Sequence, residues 1–115
     1  MKTSELTGAA LDWAVAKFEG LTDWDSVDLV FRDDEFCWYE PSSNWAQGGP
    51  IIEREGINLG NYAKTPAQWS AWTFAPEQAT GEVQAYGSTA LIAAMRCYVA
   101  SKLGDEVDVP DELHP

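Results

Sequence analysis

The feature that most constrains this chain is one helix near its carboxyl end. Leu91, Ile92, Met95, Tyr98 and Val99 recur at helical spacing and form an apolar stripe. Ser88 or Thr89 can cap that helix and Gly104 can end it, with Lys102 in the last turn, where a cation complements the helix dipole. A helix with so wide an apolar stripe has to bury it, so the rest of the chain must supply partner surfaces.

Helices and strands are both available for that task. Residues 7–18 read as a helix with Leu11, Ala14, Val15 and Phe18 on one face. Thr7 can cap it, Leu6 and Leu11 can staple its entry, and Gly20 can stop it. Trp13 lies off the stripe and is expected to be partly buried against another element. Strands are expected at residues 36–39, ended by Glu40 and Pro41, and at 69–74 and 82–86. In the second of these, Trp69, Ala71 and Thr73 share one face, and Ser70, Trp72 and Phe74 the other. Residues 75–81 would link the last two strands as a hairpin, residues 60–68 read as loop, and 27–31 lack the alternation that would decide for a strand. Residues 42–55 open with the cap formers Ser42, Ser43 and Asn44, and Gly56 closes them. Within that helix Gly48, Gly49 and Pro50 predict an irregular centre.

Helix, strand, helix, two strands and helix predict an α+β fold, with a small antiparallel sheet flanked by helices in a sandwich-like arrangement. The chain of 115 residues accommodates one core, so a single domain is expected over residues 1–104. Residues 105–115 carry five acids and no base and read as an acidic tail, with Val107 and Val109 able to lie against the body. Asp12, Lys17 and Glu19 interrupt the amino-terminal region, which does not read as a secretory signal, and no apolar run is long enough to span a membrane. The net charge is -12, with seven basic residues scattered along the chain. Such a chain is repelled by DNA, RNA and anionic membranes, so the expected macromolecular partner is a basic host protein, not nucleic acid or membrane. Cys37 and Cys97 read as buried free thiols in a reducing compartment, a disulfide being the alternative.

Three strings carry a family resemblance: ELTGAALDWAVAK at residues 5–17, YEPSSNWAQGGPIIERE at 39–55 and GSTALIAAMRCYVASKLG at 87–104. Together they resemble the NinX-like family of lambdoid phages over nearly the whole chain. The segment from Pro41 to Asn44 and the later TALIAAMR are more loosely similar to small phage proteins described as an ABA sandwich. Where proline commonly precedes the leucine of the last helix, this chain has Ala90. The resemblance implies a phage accessory gene, helices layered on a sheet, and a setting in the host cytoplasm. It implies no reaction.

Catalytic chemistry finds little support. The single histidine, His114, is next to last, and no Cys/His cluster has metal-ligand spacing. Nucleotide-binding glycine loops and nucleophile elbows are missing from the sequence. Runs such as Asp33, Asp34 and Glu35, or Glu53 and Glu55, read as solvated faces. No catalytic residue, metal or cofactor is therefore expected, and an enzyme acting on nucleotides ranks last. Binding has the better physical case. Two helix starts, Ser42-Ser43-Asn44 and Ser88-Thr89, offer backbone N–H groups and positive dipole ends. Trp38, Tyr39, Trp45 and Trp72 offer faces for stacking, and the Gln47-Gly48 turn lies between. Arg54 or Arg96 can neutralise a phosphate. Caps and tryptophans also serve folding alone, which is the plain alternative. The expected function is counter-defence by sequestration of a small nucleotide-like host ligand without catalysis. The other reading is an acidic nucleic-acid mimic that inhibits a host nucleic-acid-handling protein. Either leaves a homo-oligomer open.

Overall fold

A computed structural model of the chain describes residues 2–19, 29–32, 35–38, 40–61, 68–74, 81–104 and 106–107, with backbone only for 9, 29–32 and 35–38. After a single 3-10 turn at Thr3–Glu5 come α1 (Gly8–Phe18), β1 (Leu29–Arg32), β2 (Glu35–Trp38) and α2 (Trp45–Glu55). Then follow β3 (Asn58–Gly60), β4 (Trp69–Phe74), β5 (Glu82–Gly87) and α3 (Ala90–Leu103). The fold is α+β, as the sequence predicts.

β1 and β2 form an antiparallel pair with Leu29 opposite Trp38 and Arg32 opposite Glu35. The larger sheet is antiparallel in the order β3-β4-β5, with Ala71 facing Leu59 on one side and Ala85 on the other. That register puts Leu59, Trp69, Ala71, Thr73, Val83 and Ala85 on one face, and the hydrophobic members of this set join the core. Trp72, Phe74, Gln84 and Tyr86 occupy the opposite face, where Phe74 is 77% exposed.

α3 is the hub. It packs on the sheet through β4 and β5 and also meets α1 and α2. Leu91, Ala93, Ala94, Met95, Cys97, Tyr98, Val99 and Ser101 are all buried, so the helix is enclosed around most of its circumference. Ala93 and Ala94 keep its surface low enough for close neighbours, while Met95 and Val99 fill the space between. Burying side chains of that size contributes about 1.5–3 kcal/mol each. Leu6, just before α1, and Leu11, Ala14 and Val15 within it complete the same core.

Three features depart from the sequence reading. First, α2 is continuous from Trp45 to Glu55, with Pro50 inside it, where an irregular centre is predicted. Gly48 accounts for this. It is buried, and a Cβ there would lie 2.5 Å from the Pro41 carbonyl oxygen and 2.7 Å from Leu91 Cδ2. The glycine lets α2 dock against α3, and this packing outweighs the weak local propensity. Second, β3 falls in a stretch with no strand pattern; only three residues long, it exists because β4 offers an edge to pair with. Third, Trp13 is 8% exposed and belongs to the core, where partial burial is expected.

The ends of helices follow local rules more closely. Asn44 Oδ1 accepts from the Ala46 N–H, Thr89 Oγ1 accepts from the Ile92 N–H, and Gly56 closes α2 at φ 66°. Thr7 holds the cap position of α1 without a side-chain cap bond. The start of the acidic stretch is tied to the body: Val107 is buried and Glu106 forms a β-bridge with Lys2. Gly20, the 75–80 link, Val109 and His114 lie outside the described residues.

Candidate functional site

The starts of α2 and α3 converge on one cleft of about 480 Å³, lined by Ser42, Ser43, Trp45, Trp69 and residues 88–92. Two close approaches place them there. Gly48 seats α2 against Leu91, and Gly87 seats β5 against α3, since a Cβ at Gly87 would lie 2.7 Å from the Ala93 nitrogen. The segment before α2 is anchored separately by the Ser42 N–H, which donates to Asp12 Oδ1 at 2.9 Å.

Of the residues singled out in the sequence, the cleft brings together Ser42, Ser43, Trp45, Ser88 and Thr89. Trp45 is 56% exposed, unusual for so large an apolar side chain. Asn44, Gln47 and Gly48 are adjacent but serve the fold: Asn44 caps α2, Gly48 packs, and Gln47 Oε1 accepts from the Glu40 N–H at 2.6 Å. Trp72 stands on the far face of the sheet, its carbonyl accepting from Asn58 Nδ2. The Trp38 side chain and Tyr39 lie outside the described residues.

The arginines are elsewhere. Arg54, at the other end of α2, pairs with Glu19 and Glu55. Arg96 donates from Nε to the Leu6 carbonyl at 2.8 Å and from Nη1 to the Tyr86 carbonyl at 2.7 Å. Neither lines the cleft, and none of its lining residues is cationic.

What the sequence reading missed is Trp69, whose indole faces the core side of β4 and borders the cleft. The strand alternation already separated it from Trp72; only the pairing of Trp69 with Gly87, next to the start of α3, decides which indole reaches the site. Backbone groups add to it. Among the described residues the Ala90 and Leu91 N–H groups, at the open end of α3, make no hydrogen bond.

Reactive side chains are scarce. No cluster of three or more His, Cys, Asp or Glu able to hold a metal occurs among the described residues. Cys97 is a free thiol, fully buried, and burial pushes it up to about 12, so it stays protonated.

A three-stranded antiparallel sheet, one enclosed helix and two further helices make this a small α+β domain with a mostly apolar, two-tryptophan cleft at its helix starts. The family model described as Bacteriophage P22, NinX matches residues 2–102, and the chain belongs to that family. It is a phage protein. No curated protein matches it. No helix among the described residues is long and apolar enough to cross a membrane.

Proposed function

We propose that the chain is a phage accessory protein of the host cytoplasm that sequesters a small nucleotide-like host ligand, in a counter-defence role and without catalysis. The observation that carries this reading is the convergence of two helix starts and two indoles, Trp45 and Trp69, on one cleft. Its volume of about 480 Å³ falls within the range of small-molecule sites. A base can stack on the exposed Trp45, and such contacts contribute about 1–3 kcal/mol each. The Ala90 and Leu91 N–H groups, at the positive end of α3, suit a carbonyl or a phosphate oxygen.

Charge narrows the ligand. With no cation on the cleft wall and a net charge of -12, a polyphosphate would meet repulsion that two amides do not offset. Nucleosides and singly charged nucleotides fit better than triphosphates. The test is a thermal-shift and fluorescence panel of such compounds on the intact chain. Saturable binding that Trp45→Ala abolishes is the expected result; a panel with no shift and no quenching removes the reading.

A second reading, an acidic protein that covers a basic host surface, is favoured by the charge alone. It predicts salt-sensitive association with a host protein that tolerates Trp45→Ala.

A further inference from the structure

A second cavity, of about 550 Å³, shares no lining residue with the cleft. It lies beside β5, between Gln84 to Tyr86 on one side and Lys2, Thr3 and Ser4 on the other, with Arg96 and Glu106 in its wall. Cations are scarce in this chain, and the described ones are mostly engaged: Arg54 and Lys102 pair with carboxylates, and Lys17 lies over the Trp13 ring. Arg96 and Lys2 differ. Neither forms an ion pair among the described residues, yet both face the same cavity.

Arg96 is the more telling of the two. A guanidinium carries five N–H donors, and two of these are used, by the Leu6 and Tyr86 carbonyls. The remaining donors sit on Nη1 and Nη2, the pair of nitrogens that grips a carboxylate or phosphate with two parallel bonds. None of the described side-chain nitrogens is buried without a partner, so these donors are open to the cavity or to solvent. The two carbonyls fix the plane of the group without neutralising it. Partial burial disfavours the charged form and lowers its pKa. Tyr86, half exposed, also lines the cavity.

We propose that this cavity is a binding site for a small flat molecule carrying one oxyanion group, held by Arg96 and Lys2 with its ring against Tyr86. The charge count sets the ligand's valence. Two cations face one carboxylate, Glu106, leaving a single positive charge to be matched. A dianion would bring surplus negative charge to a chain already at -12. Both an aromatic carboxylate and a nucleoside phosphodiester have this chemistry.

Residue-resolved NMR titrations of the isotope-labelled chain separate the two sources. The probes are indole-3-acetate for the carboxylate and cyclic AMP for the phosphodiester, with adenosine as the uncharged ring. The expected result is saturable shifts at the Arg96 side chain and the Ser4, Ala85 and Tyr86 amides with at least one anion, and none there with adenosine. Arg96→Lys keeps the charge but loses the fork, and should weaken that binding about tenfold or more. Lys2→Gln, at an exposed side chain with no structural bond to lose, should weaken it about threefold. It keeps the test decisive if Arg96→Lys fails to fold. Trp45→Ala should leave these shifts unchanged, which separates this site from the cleft. Silence with both anions, equal shifts with adenosine, or full affinity in Lys2→Gln would each overturn the proposal.

Discussion

Arg54 holds the carboxylate of Glu19, 35 residues earlier in the chain, through both terminal nitrogens, at 3.0 and 2.6 Å. The same carboxylate accepts from the Tyr98 hydroxyl at 2.6 Å, while Glu55 takes Arg54 Nε at 2.9 Å and Lys102 at 3.2 Å. Arg54 and Lys102 both lie over the Tyr98 ring, 5.9 and 5.7 Å from its centre. These contacts tie the carboxyl ends of α1, α2 and α3 together. The cleft occupies the opposite ends of α2 and α3, so its two helix starts stand on braced posts.

That network makes stability depend on pH. The Arg54 hydrogen bond, with help from Tyr98 and against the effect of burial, holds Glu19 below its ordinary value of 4.5. A carboxylate whose folded pKa is depressed contributes stability above its unfolded pKa and loses it as pH falls through the folded value. Wild type should therefore exceed Glu19→Gln by about 1 kcal/mol near neutrality, a figure discounted for the exposure of Arg54. The difference should shrink below pH 4.5. Urea midpoints of both proteins across the acid range check this; a constant difference would sink it.

The paired glycines should behave oppositely. Gly48→Ala forces a methyl against the Pro41 carbonyl and Leu91, and should cost about 1–3 kcal/mol. Gly49→Ala meets only a Trp45 ring carbon at 3.9 Å, so helix propensity should win, with a gain of up to about 1 kcal/mol. Chemical denaturation of both variants decides it.

Pro50 is the sixth residue of α2 and cannot donate to the Ala46 carbonyl. It is exposed, and replacement by alanine restores that bond without disturbing the core. Pro50→Ala should raise stability by about 1–2 kcal/mol, less than the full cost of an interior proline because the unfolded chain also gains freedom. A lower melting temperature would show that the proline shapes α2 in a way its helical geometry does not reveal.

The two cleft tryptophans should separate stability from binding. Trp45 is mostly exposed, so Trp45→Ala should change the melting temperature little while removing the stacking surface. Trp69 packs against the core, and Trp69→Ala should cost about 3–5 kcal/mol at the most. Thermal melts of both, beside the nucleoside panel, test the division of roles.

What the sequence by itself determined is local. The cap at Thr89, the left-handed Gly56 and the alternation of β4 and β5 depend on residues within a few positions of one another. Both halves of the cleft's rim were legible for that reason, since helix caps announce themselves. Only the tertiary structure decided what is non-local. Gly48 reads as a helix breaker until Leu91 and Pro41 are found against it. β3 has no pattern of its own and follows from the edge of β4. Trp69, not Trp72, borders the cleft because the strand register sets it opposite Gly87. Arg54 and Arg96 read alike as free cations, yet one is paired with carboxylates and the other is oriented by carbonyls, each with partners far along the chain. Caps and periodicity are properties of neighbouring backbone groups; the partners of a glycine, an indole or a guanidinium are chosen by packing.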